Sequence, residues 1–322
     1  MSKWKIVGIA FALFAVAVSL LNASWFAPKP KGKLMLVAHR GIAQPYDRTN
    51  LTNETCTAAR MLPSGHQFIE NSLFSIQHAV RLGADVIEID VHPTADGRMV
   101  VFHDWTLDCR TNGTGPVREK TLAELKALDI GYGYTADSGK TFPLRGRGVG
   151  AMPTLEEVLR AVPRKMLIVN FKSQAPADVD AFLAAVARTG QKVDGRFGFS
   201  GDAAVTNRLK QQVPGAWVFG KQEIKACLVD YLKLGWSGYV PSSCRDTTVA
   251  VPLNYQWAIW GWPNRFLDRM ASVNTKVILL GDMDENQMAA GLVAPEQLNK
   301  VPRSFRGYLW VDNMYDIGRA LQ

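Results

Sequence analysis

Short apolar runs recur along this chain, separated by amphipathic and polar stretches. Residues 34–38 read as a buried strand ending in His39-Arg40-Gly41. A long polar loop, residues 42–67, follows, rich in Asn, Thr and Pro. Ser72 is placed to N-cap a helix that ends before Gly83. Further strands are expected at 86–91, 99–102, 166–171, 196–199, 216–219, 238–240, 276–280 and 307–311. Helices are expected between them, among them 153–161, 177–188 and 264–272. A short helix at 122–128 has Thr121 and Glu124 as a capping box. Strand and helix alternate about eight times, which predicts a parallel sheet closed as a (β/α)8 TIM barrel. No GxGxxG follows the first strand, which argues against a dinucleotide-binding sheet.

The amino end breaks this rhythm. Lys3 and Lys5 precede an apolar run from Ile6 to Leu21, followed by Trp25, Phe26 and a Pro/Lys-rich stretch. Its length favours an uncleaved transmembrane anchor over a cleaved signal peptide. The expected organisation is an anchor or signal helix at 1–26, a linker at 27–33 and a barrel at 34–322, with an insertion at 105–150 after strand two. Such a chain is membrane-anchored or exported, on the periplasmic or extracytoplasmic face.

The net charge of +8 suits an anionic substrate or surface. The charges are scattered and no nucleic-acid motif appears, which excludes nucleic acid as an expected partner. None of the four cysteines has zinc-site spacing. Cys56 and Cys109 both fall in loops beside the candidate site and are expected to pair, whereas Cys227 reads as a buried mid-helix apolar residue.

The chemistry gathers in residues 83–104, GADVIEIDVHPTADGRMVVFHD. Glu88 and Asp90 are two apart in a strand, so they share one face. Two buried like charges need a partner, and a divalent cation is a simple one. His103 ends the next strand-like run, His39 and Arg40 end the first, and Asn170 and Lys172 end the strand at 166–171. In a TIM barrel these positions meet at the C-terminal rim, where catalytic groups sit.

The combination of Ala38-His39-Arg40-Gly41, Glu70-Asn71-Ser72, GADVIEIDVHPTADG, VVFHD, the 110–115 run RTNGTG and Pro153-Thr154-Leu155-Glu156 resembles the glycerophosphodiester phosphodiesterase family. The likeness covers residues 35–172 strongly. It implies a TIM-barrel phosphodiesterase that uses Ca²⁺ or Mg²⁺ and two histidines to cleave glycerophosphodiesters to glycerol 3-phosphate and an alcohol. By resemblance, His39 and His103 are the catalytic pair, without an acid or base assignment. Arg40, Lys172 and Glu70 then bind phosphate or substrate, and Glu88, Asp90 and Asn170 hold the metal.

Two departures stand out. The family usually has Glu where this chain has Asn170, which removes a negative charge from the metal site. The last strand ends in Val311-Asp312-Asn313, so Asp312 is a weaker site candidate. His92 is expected to be structural. Trp236, Trp257, Trp260 and Trp262 are expected to pack in the core or rim more than to line the mouth. Beside the small-molecule diesterase stand a lysophospholipase-D-like or sphingomyelinase-D-like activity on lysolipids and a non-catalytic barrel that binds diesters or a partner.

Overall fold

The computed structural model describes residues 2–52, 55–283 and 290–322. After the amino-terminal helix α1 (Lys3–Leu21), the chain alternates strand and helix. The strands are β1 (Met35–His39), β2 (Val86–Pro93), β3 (Met99–Val101), β4 (Met166–Phe171), β5 (Phe197–Ser200), β6 (Trp217–Phe219), β7 (Thr248–Pro252), β8 (Lys276–Leu280) and β9 (Tyr308–Val311). The helices are α2 (Leu73–Arg81), α3 (Leu122–Lys126), α4 (Leu155–Ala161), α5 (Ala177–Arg188), α6 (Ala203–Gln212), α7 (Lys221–Leu234), α8 (Asn264–Ser272) and α9 (Met314–Ala320).

All strands but β3 pair in parallel in the order β6-β5-β4-β2-β1-β9-β8-β7, a nearly closed TIM barrel. β3 runs antiparallel beside β2 and opens the insertion. The β6–β7 seam lacks strand pairing among the described residues. It is bridged by side chains, with Trp217 Nε1 donating to Thr248 Oγ1 at 2.7 Å.

Alternation along the strands sets the two faces. Val37, Val86, Ile168, Phe219, Ala250 and Ile278 fill the barrel interior. Leu36, Ala38, Ile87, Ile89, Leu167 and Val169 face the helices in the large outer core. The interior parity carries on to His39, Glu88, Asp90 and Asn170, so the barrel turns from apolar to polar toward its C-terminal end. Register locks these neighbours, with His39 opposite Glu88 and Asp90 opposite Asn170.

Local signals start the helices as expected. Ser72 Oγ accepts from Ser75 N, and both Thr121 and Thr154 close capping boxes. The expected strand at 238–240 is absent; the sixth barrel strand is β7. Gly238 turns with φ 84° and Pro241 follows, so that stretch cannot extend, whereas Thr248–Pro252 is a β-branched, wholly buried run.

The insertion and the 42–67 loop share a second apolar cluster built on Met61, Ile69, Phe102, Leu107, Ile130 and Tyr134. The Cys56–Cys109 disulfide ties the two segments together, as expected. Cys227 corrects the expectation of a lone buried residue: it is disulfide-bonded to Cys244, which lies in the turn where the chain folds back after α7. Helix α1 is long and apolar enough to cross a membrane, and none of it is buried in the protein.

Candidate active site

The site begins with a tight turn after β1. Arg40 has φ 60° and Gly41 φ 76°. A Cβ on Gly41 would lie 2.8 Å from Ser75 Oγ and 3.0 Å from Ile76 N, so only glycine fits this approach. The turn aims Arg40 N at the Glu88 carbonyl (3.0 Å) and at Glu88 Oε2 (3.2 Å). It also swings the guanidinium inward, with Nη1 2.9 Å from Glu70 Oε1 and Nε 3.2 Å from Asp90 Oδ2. That Nε is buried without a well-aligned hydrogen bond. Spending positive φ on a non-glycine residue is strain that a functional site retains.

Asp90 is the hub. It is fully buried, and its Oδ2 accepts from Asn71 Nδ2 at 3.0 Å while its Oδ1 accepts from Asn170 Nδ2 at 2.9 Å. Lys172 Nζ stands 3.8 Å from Oδ1. Asn71 adopts φ 59° to reach Asp90 from both sides, its Oδ1 accepting from Asp90 N. Burial favours the neutral acid, but Lys172 and Arg40 outweigh it and hold Asp90 well below the usual carboxylate range. Glu88 moves the other way: burial and then the neighbouring Asp90 charge push its carboxyl up. Glu70 sits between Arg40 and Arg110, whose Nη1 is 3.1 Å from its Oε2.

Two histidines flank this group with matching support. His39 Nδ1 is 2.8 Å from Asp312 Oδ1, and Asp312 Oδ2 accepts from Arg48 Nη1 at 2.8 Å. His103 Nδ1 is 2.6 Å from Asp104 Oδ1, and Asp104 Oδ2 accepts from Arg110 Nε at 2.9 Å. Arg110 Nη1 in turn donates to Tyr134 Oη. Each carboxylate takes Nδ1–H and leaves Nε2 as the uncommitted nitrogen. His39 Nε2 lies 3.9 Å from Glu88 Oε2.

The rings differ in basicity. Burial and Arg40 oppose the charged form of His39, but Asp312 and Glu88 outweigh them, so its pKa rises above the ordinary imidazole value. For His103, burial and Arg40 win over Asp90 and Asp104, and the pKa falls to about 4. The two rings are thus pushed in opposite directions, His39 toward its charged form and His103 toward its neutral form.

All eight expected site residues, His39, Arg40, Glu70, Glu88, Asp90, His103, Asn170 and Lys172, lie in or beside one network of hydrogen bonds and ion pairs. Five further members were not singled out as site residues or only weakly so: Arg48, Asn71, Asp104, Arg110 and Asp312. Asn71, Asp104 and Arg110 lie inside the motifs that carry the family resemblance, so the sequence holds their signal. His92 is buried behind His103, its Nε2 3.5 Å from the His103 carbonyl and its ring against Trp105. Trp262 packs on Phe266 and Phe305, and Trp260 Nε1 donates to Leu232 O; Trp310, on β9, faces His39 with ring centroids 5.3 Å apart. A cleft of about 330 Å³ beside α2, lined by Leu73, Phe74, Lys126 and Arg147, lies apart from these groups.

Among the described residues, no three His, Cys, Asp or Glu side chains converge as a ready cage for an ion. The donors nonetheless fit a hard divalent cation that keeps much of its water. Glu88 and Asp90 are adjacent buried carboxylates, and Glu88 is short of neutralising charge. Asn170 turns its Nδ2 to Asp90 and its Oδ1 to Ser200 Oγ, 3.2 Å away, so ligation through its oxygen needs the amide to turn over.

Residues 59–205 match the glycerophosphoryl diester phosphodiesterase family. Over 103 residues the chain is 42% identical to a glycerophosphodiester phosphodiesterase of Caldanaerobacter subterraneus subsp. tengcongensis, covering 32% of this chain and 39% of that protein. Over 93 residues it is 41% identical to the Bacillus subtilis protein of the same name, covering 28% and 30%. The chain thus spans well under half the length of these two relatives. Among solved structures, the glycerophosphoryl diester phosphodiesterase domain of an uncharacterized Mycobacterium tuberculosis protein superposes with TM-score 0.63 at 20% identity, covering 90% of this chain and 99% of that one. An Oleispira antarctica phosphodiesterase in complex with its product sn-glycerol-3-phosphate superposes with TM-score 0.59 at 18% identity, covering 93% and 99%. At these identities the superpositions establish the barrel fold.

Proposed function

We propose that this chain, which matches the glycerophosphoryl diester phosphodiesterase family over residues 59–205, is a member of that family and hydrolyses glycerophosphodiesters to glycerol 3-phosphate and an alcohol. The observation that carries this is the pair of histidines, each braced by an arginine-held carboxylate, on either side of Arg40, Glu88 and Asp90.

The phosphodiester anion binds to Arg40 and Lys172, and Arg40 Nε, buried 3.2 Å from Asp90 Oδ2 without a well-aligned hydrogen bond, is the donor that gains most from it. Neutral His103 takes the proton from the attacking oxygen, a water or the substrate's own glycerol hydroxyl. His39, whose protonated form Asp312 and Glu88 favour, gives its Nε2 proton to the leaving alcohol oxygen as the P–O bond breaks. When the glycerol hydroxyl attacks, a cyclic phosphate forms, and water opens it with the proton roles reversed. Asp312 and Asp104 hold the rings in the tautomer that presents Nε2. Glu88 and Asp90, with the Asn170 amide turned over, are the residues that would hold Ca²⁺ or Mg²⁺, which supplies charge stabilisation to the phosphoryl oxygens when bound.

Helix α1 supports a second substrate class. An apolar helix of this length is suited to anchoring the barrel at a membrane, which brings it to lysolipid diesters. A panel of glycerophosphocholine, glycerophosphoethanolamine and lysophosphatidylcholine, assayed with Ca²⁺ or Mg²⁺ in excess, separates the classes. Glycerol 3-phosphate from the first two supports the leading reading. Choline released from lysophosphatidylcholine alone transfers it to lipids, and no turnover of any of the three refutes both.

A further inference from the structure

Helix α1 does not hang free of the barrel. Arg269 of α8, itself buried, donates from Nη1 to Asn22 Oδ1 (2.9 Å), Tyr231 Oη (2.9 Å) and Gly235 O (3.0 Å), and from Nη2 to Leu21 O (3.2 Å). Asn22 Nδ2 donates to Trp236 O at 2.8 Å, and Asn264 N donates to Ser24 Oγ at 2.9 Å. Higher up the helix, the Phe14 ring meets Trp236 edge-on with centroids 5.8 Å apart. A Cβ on Gly238 would lie 3.2 Å from Leu21 Cδ2. The last two turns of α1 are therefore fastened along the flank formed by α7, α8 and the turn at Gly235–Ser237. The Cys227–Cys244 disulfide braces that flank beside the unpaired β6–β7 seam.

This fastening has a consequence for depth. From Phe14 to Leu21 the helix rises about 10 Å, and Lys3 to Leu13 adds only about 16 Å, against a hydrocarbon core of about 30 Å. The part of α1 beyond the barrel is too short to cross alone. Placing the whole helix in lipid carries its barrel-side neighbours down with it. Those neighbours are exposed aromatics: Trp236 is 38% exposed, Tyr239 56%, Trp25 78% and Phe26 64%. Trp and Tyr favour the membrane–water interface, and exposed Lys29 and Lys31 follow on the chain, where anionic headgroups attract them.

We propose that the barrel itself carries a lipid-facing patch, Trp25, Phe26, Trp236 and Tyr239, which seats the α7–α8 flank in the interfacial layer of the bilayer that α1 enters. The proposal rests on reading α1 as a membrane anchor, and goes beyond it by assigning one flank of the catalytic barrel to the lipid. The barrel is then held in one orientation, side-on at its seam, instead of swinging on a tether.

The test uses the full chain in vesicles of phosphatidylcholine and phosphatidylglycerol at about 3:1. Because the native cysteines are disulfide-bonded, single substitutions Leu13→Cys, Trp236→Cys, Tyr239→Cys and Phe74→Cys each give one thiol for a spin label. Phe74 lies on α2, across the barrel from α7 by strand order, and reports the opposite flank. Collision with oxygen, which concentrates in lipid, is compared with collision with a water-soluble nickel chelate. We expect positions 13, 236 and 239 to favour oxygen severalfold over position 74. Lipid exposure at 13 with water exposure at both 236 and 239 overturns the patch and leaves the anchor standing. Water exposure at 13 overturns the anchor and the patch together. Shielding of 236 and 239 from both reagents means protein covers them, as in a dimer, and also overturns the patch. The two neighbouring positions guard against one substitution that fails to fold.

Discussion

Replacing Asp312 with Asn changes the charge behind His39 while keeping an oxygen able to accept from Nδ1. Asp312 Oδ1 is 2.8 Å from that nitrogen, and the aspartate is largely buried. A unit charge about 4 Å from the imidazolium centre, at an effective dielectric of about 20, is worth about 4 kcal/mol, or roughly 3 pKa units, as an upper bound. The His39 side chain is 21% exposed, so solvent screens part of this, and a fall of about 1–2 units, about 1.4–2.7 kcal/mol, is the expected result. The direction follows from the site: His39 has a raised pKa because Asp312 and Glu88 outweigh burial and Arg40, so its charged form persists to higher pH. With His39 as the proposed acid, activity is lost as pH rises through that pKa. The assay is the pH profile of kcat/KM for glycerophosphocholine with the divalent cation saturating, from about pH 3 to about pH 10. In Asp312→Asn the alkaline limb moves down by about 1–2 units, while the acid limb, set by His103 near 4, stays in place. An alkaline limb that does not move refutes the assignment of His39 as the acid and of Asp312 as its partner.

Other consequences can be checked directly. Asn170→Glu adds a carboxylate opposite Asp90 in register, and divalent-cation affinity by calorimetry should tighten by about tenfold or more; unchanged affinity removes position 170 from the ion's reach. Cys56→Ser with Cys109→Ser opens a link spanning 53 residues, and the melting temperature should fall by about 5–10 °C. The same variant should lose kcat more than it gains KM, because the freed loop carries Arg48, the group that holds Asp312; a kcat unchanged at assay temperature refutes that link.

Much of this arrangement was legible in the sequence because strand parity is rigid. Glu88 and Asp90 had to share a face, and the same rule put Asn170 beside them once β2 and β4 paired. His39-Arg40-Gly41 was legible as a strand end, since the glycine demands a turn there. Arg48 was not, because nothing local distinguishes one arginine in a polar loop; its role comes from a contact 264 residues away in sequence. Asp312 is similar, an ordinary strand-end acid until β9 pairs with β1 and brings it to His39. Cys227 fits an apolar helix face equally well alone or bonded, and its partner lies in a turn whose path α7 does not encode. The false strand at 238–240 had β-forming side chains, but its glycine and the proline after it prevailed over propensity.

The most direct measurement is the rate of glycerol 3-phosphate release from glycerophosphocholine by the full chain with Ca²⁺ or Mg²⁺, compared with His39→Ala and His103→Ala separately. We expect turnover in the parent protein and a loss of about 10²–10⁴ in each variant, with circular dichroism unchanged. Absence of metal-dependent release by the parent, or variants that keep within about tenfold of its rate, would contradict the assignment of this site as a two-histidine phosphodiesterase centre.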